Sequence, residues 1–114
     1  MKEATIQKYI VGYLDAALSP QAIVCHIPNG LGRLSYNQGR NAKAMGLLAG
    51  AADLLVIDRG LTVFLEVKNE TGRQTARQKE FEVLCTAQSI GYYIVRSIDD
   101  AKHAIITEGL IDGN

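Results

Sequence analysis

Two apolar runs separated by a glycine turn place the tightest constraint on how this chain folds. Residues 53–58 read DLLVID and residues 61–67 read LTVFLEV, with Arg59-Gly60 between them. Apolar runs rich in β-branched residues, joined by two residues that include glycine, are typical of a β-hairpin. With a two-residue turn, Asp58 pairs with Leu61. Because both runs are nearly continuously apolar, we expect the hairpin to be buried on both faces.

The register of this hairpin brings ionisable side chains together. Counting outward from the turn, Asp53 lies directly opposite Glu66, and Lys68, two residues further on, shares the face of Glu66. Opposed carboxylates repel unless a cation lies between them, and hard oxygen ligands favour Mg²⁺, Mn²⁺ or Ca²⁺. The set therefore predicts metal-assisted phosphodiester hydrolysis. The alternative is that Lys68 simply pairs with a carboxylate at the end of the sheet.

A helix is predicted before the hairpin, from apolar residues that recur every three or four positions between Ile6 and Leu18. Ser19-Pro20 ends it. Glu3 falls on the same stripe, three residues earlier. Its carboxylate either interacts favourably with the helix N-terminus or points into a site.

The remaining elements follow from similar patterns. We expect strands over residues 22–28 and 92–97, and helices over residues 75–90 and 97–107. Thr75 and Gln78 have the spacing of a capping box, and Gly91 supplies a helix stop. Residues 29–46 contain four glycines and are expected to be mostly loop, with a short helix near Ala42. The order αβ-loop-ββαβα predicts one α/β domain over residues 1–114, a mixed sheet flanked by helices.

Composition excludes several classes of protein. The chain is 47% hydrophobic and 21% charged, which excludes a disordered chain. It has no apolar run of the roughly 18 residues that a membrane span needs, and its polar N-terminus predicts no targeting segment, hence a cytoplasmic protein. Cys25 and Cys85 are expected to be buried free thiols, and with His26 and His103 they form no metal-ligand pattern.

Charge is balanced overall but unevenly distributed. The sequence has 12 basic and 12 acidic residues, yet residues 16–52 contain no acidic residue at all. Basic residues also outnumber acidic ones over residues 67–79. A neutral protein with such stretches can present a positive face to nucleic acid, although solvated surface is the more ordinary explanation.

These residues resemble a known family. Asp53 followed by Glu66-Val67-Lys68 resembles the PD-(D/E)xK nuclease signature. The run Lys43-Ala-Met-Gly46-Leu-Leu-Ala-Gly50-Ala-Ala-Asp53 is similar to the K-x-x-G-x-x-x-G-x-P-D segment of the VRR-NUC (virus-type replication-repair nuclease) family. Further matches across nearly the whole chain are Pro28-Asn29-Gly30, Gly72, Gln78, the helix carrying Glu3, and YYIVRSIDDA at residues 92–101. One residue departs from the pattern: Ala52 replaces the proline before the aspartate, which affects the turn geometry but no ligand.

The resemblance implies a restriction-endonuclease-like fold and a role for each matching residue. Asp53, Glu66, the Val67 carbonyl and Glu3 would bind Mg²⁺ or Mn²⁺. Lys68 would be the catalytic lysine, and Gln78 would orient the nucleophile or the lysine, although its place in a capping box argues against one side chain doing both. The residues expected to contact DNA are Asn29, Arg33, Arg40, Lys43, Arg73 and Arg77.

The resemblance also implies a function and an assembly. It suggests a small phage-like member that cuts branched DNA such as a four-way junction as a homodimer, in a bacterial or phage-infected cell. Two other hypotheses share this fold. One is a catalytically silent module that binds DNA or a protein, and the other is a sequence-specific restriction-type enzyme. The retained Asp53, Glu66 and Lys68 favour an enzyme.

Overall fold

The fold is known from a computed structural model that describes residues 1–28 and 35–113. Within these ranges it contains four helices and four strands. Their bounds, in chain order, are α1 Glu3–Ala17, β1 Ile23–His26, α2 Tyr36–Ala44, β2 Leu54–Asp58, β3 Leu61–Val67, α3 Ala76–Ala87, β4 Gly91–Val95 and α4 Ile98–Thr107. The predicted α/β class, a mixed sheet flanked by helices, is confirmed. No described helix has the length and apolar character needed to cross a membrane.

The sheet has the order β1-β2-β3-β4, with β4 parallel to β3 and the other pairs antiparallel. The two-residue turn is confirmed, because Asp58 pairs with Leu61. Arg59 and Gly60 both have positive φ, 50° and 78°, which suits the right-handed twist of the strands they join. The strand pair furthest from the turn is Leu54 with Leu65, so Asp53 and Glu66 occupy the next position outward.

One face of the sheet carries the main core. Helices α1 and α4 pack there, and the alternating residues of β2 and β3 that point toward them are fully buried. The residues that contribute most are Ile10 and Leu14 of α1, Leu54 and Val56 of β2, Val63 and Leu65 of β3, and Ile105 of α4. On this face, every second residue of β2 and β3 packs against the apolar residues that recur every three or four positions along α1.

The opposite face is only partly covered, so the prediction of a hairpin buried on both faces is wrong at one side. Helix α3 packs near β4 and brings Phe81 edge-on against Phe64, with ring centroids 5.0 Å apart. No described helix covers the β1 side of this face, where Ile23 remains 54% exposed. Cys25 lies on the same side and is exposed, contrary to expectation, whereas Cys85 is buried as expected.

Residues 29–46 contain more regular structure than their glycine content suggested. Helix α2 occupies Tyr36–Ala44, around the expected Ala42, and is opened by a capping box in which Ser35 and Gln38 exchange hydrogen bonds. Its sequence lacks an apolar stripe, and none of its residues is buried. The predicted DNA contacts Asn29 and Arg33 lie outside the described residues.

Helix α3 ends differently from the prediction. Its last residue is Ala87, and the left-handed conformation that follows is adopted by Ser89, at a φ of 58°. Gly91 instead begins β4, where a Cβ would lie 2.5 Å from Oε1 of Glu108. Gly91 therefore leaves room for the Glu108 side chain at the end of α4 and does not act as the helix stop.

At Gly50, the segment before β2 packs closely against the start of α3. It has a φ of 81°, and a Cβ at this position would overlap the backbone of Arg77 and Gln78. Next in the segment, Ala52 is fully buried against Phe81. The backbone entering β2 therefore lies directly on the first turn of α3, which fixes the direction from which Asp53 enters the sheet.

We expect Gly50→Ala to destabilise the protein by about 3 kcal/mol or more, since overpacking costs ~1–3 kcal/mol and positive φ adds ~1–2 kcal/mol for alanine. Chemical unfolding followed by circular dichroism measures this. The matched control is Gly39→Ala inside α2, where nothing lies within 4 Å of the added Cβ. The control should be neutral or stabilising by up to ~1 kcal/mol. Equal effects of the two substitutions would contradict the close approach of Gly50 to α3.

Candidate functional site

The two predicted carboxylates meet at the open end of the hairpin, on the face that α3 covers. Asp53 immediately precedes β2, and its Oδ2 accepts a hydrogen bond of 2.8 Å from the backbone N–H of Val67. This bond fixes the Asp53 carboxylate beside the last residues of β3. Glu66, on β3, is only 2% exposed. The nearly buried carboxylate of Glu66 therefore faces that of Asp53 at the ends of the two central strands.

Glu66 has donors on one oxygen only. Its Oε2 accepts a hydrogen bond of 3.2 Å from Nε2 of Gln78 and lies 3.9 Å from Nζ of Lys68. Its Oε1 is buried and has no hydrogen-bond partner in residues 1–28 or 35–113. A buried polar atom without a partner costs free energy, so Oε1 is suited to a ligand or a proton.

These surroundings favour the neutral form of Glu66. Burial is the main cause, followed by the Asp53 carboxylate, and together they raise the pKa of Glu66 from an ordinary 4.5 to about 8. Lys68 opposes this rise and Glu3 adds to it. In the absence of a cation, Glu66 therefore favours its protonated form at neutral pH.

Gln78 caps α3 and also contacts the Glu66 carboxylate. Its Oε1 accepts a 2.8 Å hydrogen bond from the backbone N–H of Thr75, which completes the capping box of α3. Its Nε2, at the other end of the amide, donates to Glu66. One side chain makes both contacts because an amide has an acceptor and a donor that point in different directions. The role of Gln78 in orienting the nucleophile or the lysine stays a prediction.

The turn after β3 brings Glu3 next to the site. Gly72 leaves room for it: a Cβ on Gly72 would lie 3.0 Å from Oε2 of Glu3 and 3.2 Å from Cδ of Lys68. Arg96 holds this turn, since its Nη1 donates to the carbonyls of Asn69 at 2.5 Å and of Gly72 at 2.8 Å. The Asn69 side chain also accepts the Gly72 N–H at 2.8 Å.

Arg96 and Asn69 were not identified from the sequence. Both act through main-chain groups of a turn that the E-x-K pattern does not include. Their one signal is the position of Asn69 directly after Lys68, where an Asx turn is common.

The residues present fit a divalent cation at the Asp53–Glu66 pair. Mg²⁺ typically uses one or two protein carboxylates and completes its shell with water and phosphate oxygens, and the buried Oε1 of Glu66 lacks a partner. Within the described residues, no three His, Cys, Asp or Glu side chains lie close enough together to form a metal site by themselves. The ligand roles of Asp53, Glu66, Glu3 and the Val67 carbonyl therefore remain predictions.

Two of the predicted DNA contacts come together and two do not. Lys43 of α2 and Arg77 of α3 line one cleft of 390 Å³ between these helices. Arg77 also forms an exposed ion pair with Glu80 at 3.5 Å. Arg40 stacks over the ring of Tyr36, with its guanidinium carbon 5.7 Å from the ring centroid. Arg73 lies exposed in the turn between β3 and α3.

Comparison with known proteins identifies the fold. No family model matches the sequence, and no curated protein matches it significantly. A solved structure described as a "VRR_NUC domain protein" superposes with a TM-score of 0.73, at 22% sequence identity, covering 99% of this chain and 94% of that one. This chain has the VRR-NUC fold. The restriction-endonuclease-like architecture implied by the sequence motifs is confirmed.

The raised pKa of Glu66 predicts how stability depends on pH without metal. The folded protein retains a proton that the unfolded chain releases above pH 4.5, so this contribution to stability is fully present below pH 4.5 and is lost as the pH rises toward about 8. We expect the free energy of unfolding to fall over this interval by at most about 1.4 kcal/mol per pH unit.

Urea unfolding in the presence of a chelator, at several pH values in this interval, measures the slope. Glu66→Gln is the matched control, because it preserves the shape of the side chain and cannot titrate. The free energy of unfolding of Glu66→Gln should not fall with pH through this titration. If the two proteins have parallel pH profiles, Glu66 does not hold the proton.

Proposed function

We propose that this protein is a metal-dependent DNA endonuclease of the VRR-NUC family, acting in the cytoplasm of a bacterial or phage-infected cell. The observation that carries the proposal is the buried Oε1 of Glu66, which has no partner among the described residues and lies beside a second carboxylate and a buried lysine. A purely structural ion pair at the end of a sheet would require only one carboxylate. The VRR-NUC fold supports the same conclusion.

Each residue of the site has a defined task in this proposal. Asp53 and Glu66 hold Mg²⁺ or Mn²⁺, with contributions from the Val67 carbonyl and from Glu3. Such a cation polarises a phosphate and lowers the pKa of a bound water. Lys68, which is 7% exposed, supplies a fixed positive charge that stabilises the negative charge developing on the phosphate, or orients the attacking water.

Gln78 has a positioning role. It holds the Oε2 of Glu66 through Nε2 while its own amide is fixed by the start of α3. This leaves the other oxygen of Glu66 directed away from Gln78 and free to bind a ligand.

The proposed DNA surface consists mostly of basic residues of α2, of the turn after β3 and of α3. Arg73 and Arg77 follow the E-x-K segment, and Arg40 and Lys43 belong to α2. Asn29 and Arg33 complete the proposed set. Contacts of this kind to phosphates provide affinity without sequence information, and a domain of 114 residues has little surface for reading bases. We therefore propose that the substrate is recognised by shape, as branched DNA.

Wild-type protein should cut a labelled four-way junction in Mg²⁺ or Mn²⁺ and leave a matched linear duplex intact. We expect Lys68→Ala to lower the single-turnover rate on the order of 10²-fold or more, since a preorganised electrostatic contact is lost. Denaturing gels measure the cleavage. Lys79→Ala, an exposed lysine on α3, is the matched control and should cut normally.

Calorimetry separates this enzyme from a silent binding module. Asp53→Asn should abolish Mn²⁺ binding and leave the fold intact, because the amide preserves an acceptor for the Val67 N–H. Junction binding without cleavage, together with equal Mn²⁺ binding by wild type and Asp53→Asn, would favour the silent module.

We also propose a homodimer that uses the uncovered part of the sheet. Two pairs of residues cross β1 and β2 on this face, Ile23 with Ile57 and Cys25 with Leu55. All four have apolar or thiol side chains, and no described helix covers them. A contiguous apolar surface of this kind favours association, and a two-fold dimer would offer two sites to a junction with approximate two-fold symmetry.

Ile23→Asp should shift the protein from dimer to monomer in sedimentation velocity experiments, because the charge would be desolvated in the interface. Ile98→Asp is the matched control. Ile98 is 40% exposed at the first turn of α4, on the other side of the sheet, where an aspartate suits the helix N-terminus. A monomeric wild type, or dissociation by both substitutions, would contradict this interface.

A further inference from the structure

A cleft opens from Asp53 on the side away from α3. It has a volume of 690 Å³ and runs between the exposed side of α1 and the end of β1. Binding clefts for small ligands have volumes of about 300–1,000 Å³, so a single nucleotide matches this space in size. None of the predicted DNA contacts among the described residues lines it. The basic residues discussed above lie along α2, the turn after β3, and α3.

The walls of this cleft combine apolar groups with a lysine and an imidazole. Val11 and Pro28 contribute apolar surface, while Lys8 and His26 contribute polar side chains from the helix and from the strand. Neither Lys8 nor His26 forms a side-chain hydrogen bond or ion pair with any residue in the described ranges. Asp53 is the one acidic residue of the lining, and it belongs to the carboxylate pair.

We propose that this cleft binds one nucleotide of the substrate strand, adjacent to the nucleotide whose phosphate lies at the carboxylate pair. Lys8 and His26 donate to the phosphate oxygens of that nucleotide, and the apolar wall from Val11 to Pro28 contacts its deoxyribose. The inference rests on the proposed function, since it concerns the strand that is cut. It assigns Lys8 and His26 as substrate-binding residues.

The geometry supports this assignment through charge and continuity. A phosphate diester is an anion flanked by the C–H surfaces of two sugars, which matches a cleft that has a lysine, an imidazole donor and apolar walls. The cleft is continuous with Asp53, so a strand lying in it places a neighbouring phosphate at the pair without leaving the surface. Lysine provides a mobile point charge for such a contact, and histidine provides a donor of fixed direction.

The sequence provides a direct probe, because it contains only two histidines. His26 lines the cleft, and His103 is exposed on α4. Thymidine 3′,5′-bisphosphate would be titrated into the full-length protein without metal, while the imidazole carbon-bound protons are followed by NMR. We expect a saturable shift of the His26 signal and none of the His103 signal.

Charge reversal tests the role of the lysine. Lys8→Glu should weaken binding of the bisphosphate by about tenfold or more, since an attraction near the surface becomes a repulsion. Lys102→Glu, an exposed lysine on α4, is the matched control and should bind as wild type does. Failure of the bisphosphate to move the His26 signal, or equal weakening by both substitutions, would overturn the assignment.

The gel assay distinguishes failure of this inference from failure of the proposed function. Cleavage of DNA by a protein whose His26 does not respond to the bisphosphate would overturn the nucleotide cleft alone. A saturable His26 response in a protein that cuts no DNA would support the cleft and overturn the nuclease.

Discussion

The pairing of β2 with β3 determines the chemistry of this protein, because it forces two carboxylates to face each other. A two-residue turn fixes the register from Asp58–Leu61 outward, and the next position after Leu54–Leu65 brings Asp53 to Glu66. Opposed like charges destabilise a sheet, so this position costs stability unless a cation or a proton is shared. The Val67 N–H, which binds Asp53, offsets part of this cost, and the apolar core beneath the hairpin supplies the remaining rigidity.

The start of α3 connects this pair to the rest of the fold. The backbone of Gly50 lies against Arg77-Gln78, Thr75 and Gln78 cap the helix, and Gln78 reaches Glu66 from the same turn. One small region therefore determines how the backbone enters β2, where α3 begins and how the Glu66 carboxylate is oriented. This explains in physical terms why the segment leading to Asp53 requires a glycine at position 50, and why alanine can replace proline at position 52, where the backbone direction is already fixed.

The hairpin and its facing carboxylates could be predicted from the sequence because a period of two and a two-residue turn fix the register locally. How much of the sheet is covered by helices could not be predicted, since it depends on where α3 packs. For this reason Cys25 was expected to be buried, although it is exposed. Helix α2 lacks an apolar stripe, and the sequence therefore predicted only a short helix near Ala42. That Gln78 can cap α3 and also contact Glu66 becomes clear only when the direction of its amide is known. Arg96 donates to backbone carbonyls and the Asn69 side chain accepts from a backbone N–H, and such main-chain groups leave no trace in a pattern of side chains.

The site is closed on one side and open on the other, and this asymmetry determines how a substrate can approach. Glu66 and Lys68 are buried, and Gln78 at the start of α3 blocks that side. Asp53 is only partly buried and borders the cleft along α1. In the proposed nuclease, a phosphate would therefore arrive from the Asp53 side and advance toward Glu66 and Lys68. In this order it would meet Asp53 and any cation bound there before it reached the lysine, so the cation would neutralise its charge before it entered the least solvated part of the site.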